Sequence, residues 1–230
     1  MKWKKLFLGI SVFAFASMNA QKSDTGNWIM LLGNEKINEK FNIHYEVQYR
    51  DYAFIGDLNQ WLLRTGIGYN ITENNNNVLL GYAYVHSHNY DAEENLKQLD
   101  EHRIFQQFIT KQKFGRVGIN HRYRIEERFL EPKMEVRFRY QLGVNIPFNN
   151  TALVKNTWYA NIYDEIFINA KKDAFDRNRL YGGIGYVIND KLRVEAGFMN
   201  QSTSNVSRNQ FQIGFYLNDL FGWKKESEKM

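Results

Sequence analysis

Two arrangements of residues in this chain could do chemistry. The first is a set of arginines and carboxylates at every second position. Arg122, Arg124, Glu126 and Arg128 form one row and Glu135, Arg137 and Arg139 the next; Arg50, Arg64, Glu165, Arg179, Arg193 and Glu195 stand at like positions elsewhere. Side chains two apart on a strand share a face, so each row becomes a charged wall. Arginine's rigid fork suits close, partly dry pairing with carboxylates better than lysine does. Such walls are expected to meet as an internal salt-bridge network. Because arginine exceeds glutamate in the set, the same walls could instead attract small anions along a narrow channel.

The second arrangement is His86-Ser87-His88 followed by Glu101-His102. A base, a nucleophile and a carboxylate meeting across one hairpin would suit hydrolysis or transfer of lipid acyl chains at a barrel rim. His86 and His88 with Asp91 or His102 would alternatively suit a divalent metal. Strand geometry weakens the first idea, since Ser87 points opposite to His86 and His88 and cannot join both. A wet loop edge is the simpler account, so no catalytic residue, metal or cofactor is assigned. The chain has no phosphate-cradling loop, zinc-type spacing or nucleic-acid motif.

The elements that must position these rows are strands. In Lys133–Ile146, Met134, Val136, Phe138, Tyr140, Leu142, Val144 and Ile146 share one face; Glu135, Arg137, Arg139, Gln141, Gly143 and Asn145 share the other. At ~3.3 Å per residue a strand this long exceeds the ~25 Å apolar band of an outer-membrane barrel even when tilted. Comparable alternation runs through 41–54, 58–72, 117–129, 191–201 and 208–218. Strands are also expected over 78–90, 101–113, 153–169 and 178–188. The register of 78–90 is open because both its faces are apolar or aromatic. Turns or loops are expected at 36–40, 55–57, 74–77, 91–100, 114–116, 147–151, 171–176, 189–190 and 202–207.

A soluble sandwich also alternates, but its strands are usually about half this length. Aromatics near strand ends (Tyr52, Phe54, Trp61, Tyr90, Phe129, Phe148, Trp158, Phe221, Trp223) fit interfacial girdles. The expected fold is therefore all-β, an antiparallel up-and-down transmembrane barrel over 41–218. Ten strands satisfy the even count of such barrels. Residues 26–35 form an apolar run without alternation. Counting it as a strand gives eleven, which is not expected to close, so it is either no stave or one of twelve.

Composition bounds the rest. The chain has 230 residues, a net charge of +5, two prolines and no cysteine. This excludes disulfides, thiolate sites and a lipoprotein anchor. Lys2, Lys4 and Lys5, an apolar stretch from Leu6 to Ala16 and small residues up to Ala20 read as a signal peptide over 1–20. Its removal leaves twenty-seven basic against twenty-five acidic residues, a charge of +2, too low for a polybasic role. Residues 21–40 are then an N-terminal segment and 219–230 a charged tail.

The chain resembles a domain-of-unknown-function family of Gram-negative outer-membrane β-barrels across essentially its whole mature length. The resemblance lies in Gly26-Asn-Trp28, Glu46-Val-Gln-Tyr-Arg50, Leu63-Arg-Thr-Gly-Ile-Gly-Tyr69, Arg122-Tyr-Arg-Ile-Glu-Glu-Arg128 and Arg137-Phe-Arg-Tyr140. The last strand is similar to the C-terminal assembly signal of such barrels, although the chain runs on to Met230. The resemblance implies the cell outer membrane as location, with the lipid bilayer and the outer-membrane assembly machinery as partners. It implies no activity. The expected function is structural, with a largely filled polar lumen; the anion channel and the rim lipid hydrolase or acyltransferase are the alternatives.

Overall fold

Strict two-residue alternation gives each stretch two chemically distinct faces, and a sheet closed on itself keeps one of them inside. The computed structural model describes residues 25–72, 75–91, 93–171 and 173–222. The expected signal peptide, Trp223 and most of the tail lie outside them. Eleven strands run up and down: β1 (Thr25–Lys36), β2 (Phe41–Asp51), β3 (Leu58–Thr72), β4 (Asn76–Tyr90), β5 (Leu96–Phe114), β6 (Val117–Leu130), β7 (Lys133–Pro147), β8 (Trp158–Asn169), β9 (Phe175–Asn189), β10 (Leu192–Ser202) and β11 (Ser207–Asn218). Each pairs with its sequence neighbours, and β1 pairs with β11 to close the barrel.

This closure corrects the expected count of ten and the expectation that eleven staves cannot close. In a meander with an odd number of strands the first and last point the same way. They can therefore join in parallel, and β1 and β11 do so over ten residue pairs, from Thr25↔Asn209 to Asn34↔Asn218. The other ten pairs are antiparallel. Thr25 consequently lies at one rim and Asn218 at the other.

The first rim carries the connections after β1, β3, β5, β7 and β9; the second rim carries those after β2, β4, β6, β8 and β10. Several boundaries differ from expectation. β5 starts at Leu96, so half of the expected 91–100 loop is strand, and β9 starts at Phe175, inside the expected 171–176 loop. Residues 148–157 form a ten-residue connection, and β8 starts only at Trp158 rather than at 153. Short polar side chains shape the turns. Asn38 Oδ1 accepts from the Lys40 and Phe41 amides at 2.9 and 2.8 Å. Asp91 Oδ1 accepts from the Asn95 and Glu93 amides at 2.9 and 3.1 Å. The donors, the Asn95 amide foremost, hold the Asp91 carboxyl below its usual range.

The sidedness of β7 is unambiguous. Phe138 and Leu142 are 44% and 37% exposed, whereas Arg137 and Arg139 are 3% and 8% exposed. β4 turns Leu79, Ala83, Val85 and Ser87 inward and Val78, Leu80 and Tyr82 outward, giving the register that its composition hides. The apolar part of the interior is a cluster of Trp28, Met30, Tyr181 and Met199, with Leu32 and Tyr163 against it. Tyr163 and Tyr181 stack at 4.8 Å.

Two glycines make room for close approach. On the outer face, a Cβ at Gly33 would lie 1.9 Å from the Tyr45 ring, whose hydroxyl donates to buried Glu35 at 3.1 Å. Inside, a Cβ at Gly197 would lie 2.4 Å from the Gly182 carbonyl oxygen and 2.5 Å from Gly183 Cα on the paired strand. Gly182 has open space around it. Gly197→Ala is expected to cost about 1–3 kcal/mol by overpacking. Gly182→Ala should leave the midpoint of urea unfolding, followed by tryptophan fluorescence, nearly unchanged.

Candidate functional site: the charged lumen

The inward rows of β5 to β9 converge on three carboxylates. Glu126, with no exposed surface, receives Arg137 Nη2 and Arg139 Nη1, each at 2.6 Å, and has Arg124 Nη1 at 3.6 Å. Glu165 receives Arg139 Nη2 at 2.6 Å and Arg122 Nη2 at 2.8 Å, with Arg179 Nη1 at 4.0 Å. Arg139 thus bridges two carboxylates that belong to different strands. Glu101 takes two forks: Arg103 donates through Nε and Nη2 at 2.6 and 2.8 Å, Arg128 through the same atoms at 2.5 and 3.0 Å. Arg128 also reaches Glu135 at 3.2 Å, and Glu135 accepts from Lys171 at 3.1 Å.

Aromatic rings fill the spaces between guanidiniums. Arg139, Arg179 and Arg137 lie over Phe167 with centroid distances of 4.4, 4.6 and 5.2 Å. Arg124 and Arg64 lie over Phe105 at 4.7 and 5.4 Å. Such contacts help an enclosed cation that has lost its water. Arg64 is also held by Glu46 at 2.5 Å, and Arg124 Nε by Gln107 at 3.0 Å.

Not every expected member joins these pairs. Glu195 is held by the Tyr159 and Tyr216 hydroxyls at 2.7 and 3.0 Å and by Asn161 at 2.8 Å, with no arginine ion pair among the described residues. Arg193 lies 4.4 Å over Tyr216 and its buried Nε has no hydrogen-bond partner among the described residues. Arg50 donates to Gln48 Oε1 at 2.5 Å and forms no ion pair among the described residues. Glu46 stands on the polar face of 41–54, as its alternation predicts, whereas Glu101, Arg103, Gln107, Asp176 and Arg177 belong to the interior but were missing from the sequence-derived set. Glu101, Arg103 and Gln107 do alternate in sequence, but Phe105 interrupts the row and an expected loop obscures its start. Asp176 and Arg177 are adjacent in sequence. A bulge where β9 meets Phe167 and Ile168 breaks the alternation, and Asp176 reaches Arg137 at 2.9 Å.

The histidine cluster is split by the sheet. Ser87 faces inward and accepts from Gln60 at 2.7 Å. On the outer face His86 Nδ1 contacts Asp100 at 2.7 Å, His86 Nε2 contacts His88 Nε2 at 3.1 Å, and His102 Nδ1 contacts the Tyr82 hydroxyl at 2.5 Å. Ser87 is therefore paired with neither His86 nor His102. Among the described residues no group of three or more metal-ligating side chains is placed to hold an ion.

Two cavities occupy the lumen. One, of about 530 Å³, reaches the second rim at Tyr52, Asn89 and Arg208; eleven arginines and four glutamates contribute to its wall. The other, of about 790 Å³, opens at the first rim beside Lys36, Lys40 and Asn76. They share Glu46, Arg122, Arg193 and Tyr216 as a waist.

Removing a hub carboxylate leaves several buried arginines short of negative charge, at a cost of about 3–5 kcal/mol. Glu126→Ala should show a loss of that size in urea unfolding. Lys171→Ala, at a pair whose lysine side chain is 52% exposed, should cost less than about 1 kcal/mol.

A family model described as a protein of unknown function (DUF2490) matches residues 25–212. An uncharacterized protein of Methylorubrum extorquens is 32% identical over 169 residues, covering 68% of this chain and 69% of that protein. No solved structure matches. The matched span runs from the start of β1 to the middle of β11. The chain belongs to the DUF2490 family of proteins of unknown function.

Proposed function

We propose that this chain is an outer-membrane β-barrel with a structural role, its lumen largely filled by the arginine–carboxylate network. The observation that carries this reading is the outer surface. Leu63, Ile67, Leu80, Phe138, Leu142, Ile162, Ile184 and Phe215 face outward and are exposed on strands around the barrel. Soluble monomers rarely expose contiguous apolar surface on that scale. Closure supports the same reading, since it leaves no strand edge with unpaired backbone groups in lipid. No helix of the described residues is long and apolar enough to cross a membrane; a barrel crosses with strands. Rim aromatics fit interfacial girdles: Trp158 with Tyr186 at 4.7 Å and Phe41 with Tyr69 at 5.3 Å at the first rim, Phe54 with Phe211 at 6.0 Å near the second. In this reading residues 1–20 direct export, and the assembly machinery and the bilayer are the partners.

The excess of arginine over glutamate around the second-rim cavity favours a narrow anion-preferring path as the second reading. A rim hydrolase is not proposed, because Ser87 and the outward histidines lie on opposite faces of one sheet.

After membrane fractionation the protein is expected in the outer membrane, migrating faster on a gel when unheated than when boiled. Recovery in the soluble fraction would refute the membrane reading. Planar-bilayer recordings under a potassium chloride gradient test the second reading. A reversal potential toward chloride supports it; absence of current removes it.

A further inference from the structure

In the second-rim cavity two guanidiniums, Arg50 and Arg179, meet at one indole with little help from carboxylates. Trp28, 3% exposed, donates from Nε1 to Gln48 Oε1 at 3.1 Å. Arg50 Cζ lies 3.7 Å from the centroid of the same indole and Arg179 Cζ 4.9 Å from it. Arg50 is 8% exposed, makes no ion pair among the described residues, and has a buried Nε without a partner. Arg179 donates from Nε to Gln201 at 2.8 Å, and its carboxylate contact, Glu165, lies 4.0 Å away and is already engaged by Arg139 and Arg122.

A guanidinium cannot shed its proton to escape this crowding. Enclosed like charges of this kind are relieved by an anion, and arginine's fork matches the two oxygens of a carboxylate or phosphate. A guanidinium seated on an indole face also keeps its N–H edge available. We propose that the second-rim cavity is a binding site for a small oxyanion, a carboxylate or a phosphate, held between Arg50 and Arg179 against Trp28. The cavity volume of about 530 Å³ limits the ligand to a small molecule. The inference rests on the inward placement of these side chains and not on the cellular location of the barrel or on ion flow through it.

The test is isothermal titration of the full-length protein in detergent at low salt, with inorganic phosphate and citrate in separate arms and chloride at matched ionic strength as the reference. Saturable binding of phosphate, citrate or both to the wild type is expected, and the arm that responds distinguishes phosphate from carboxylate recognition. Arg50→Gln, which breaks no ion pair, should weaken that binding about tenfold or more, the scale of one charge-assisted hydrogen bond. Arg116→Gln at the first rim should leave it unchanged. Compact migration on unheated gels verifies folding of each variant; should Arg50→Gln not fold, Arg179→Gln takes its place. No saturable heat with either anion, or equal affinity in wild type and variant, overturns the proposal. Because no bilayer is involved, neither result bears on the membrane reading.

Discussion

Arginines buried inside the barrel wall are costly unless carboxylates meet them, and that pairing organises the charged side of the barrel. Arg139 joins Glu126 to Glu165, and Arg137 and Arg122 reach the same two carboxylates from neighbouring strands. These contacts tie β6, β7 and β8 together through their side chains as well as their backbones. A one-residue slip of any of them would turn its charged row outward and its apolar row inward. Register is therefore set by charge pairing inside as firmly as by hydrophobicity outside.

The odd strand number has a physical consequence for the interior. β1 enters as a full stave and closes the sheet by a parallel seam with β11. It delivers Trp28 and Met30 to the lumen, where they pack on Tyr181 and Met199. The apolar part of the interior thus lies beside the seam, and the charged hubs lie across the barrel. Arg50 and Arg179 stand where these two parts meet, with an indole for a neighbour; Arg50 has no ion pair among the described residues, and Arg179 reaches Glu165 only at 4.0 Å.

Sidedness was readable wherever inside and outside differ in polarity. β7 alternates without error, and its inward arginines and outward Phe138 and Leu142 follow from that pattern alone. β1 and β4 were not readable for one shared reason: their inward residues are apolar or small. Trp28 and Met30 face tyrosine and methionine, and Leu79 and Ala83 are buried on β4 near Phe105, so two-residue periodicity vanishes although the geometry is the same. The partners of each charge were also not readable. Alternation tells which wall Glu195 or Arg50 stands on, but not that Glu195 meets tyrosines or that Arg50 meets Trp28. Those pairings follow from strand register: Trp28 stands opposite Arg50 on β1 and β2, and Tyr159, Gly185 and Glu195 lie in one row across β8, β9 and β10.

The central claim is that apolar side chains of each stave meet hydrocarbon while charged ones meet each other across the lumen. Nitroxide labels at single cysteines test it most directly, because the native chain has none. The labels would replace Phe138 and Leu142 on one face of β7 and Gln141 and Asn145 on the other, in lipid vesicles. Collisions with dissolved oxygen exceeding those with a water-soluble nickel complex at 138 and 142, and falling at 141 and 145, are the predicted result. The opposite pattern, or equal water access at all four positions, would contradict the account.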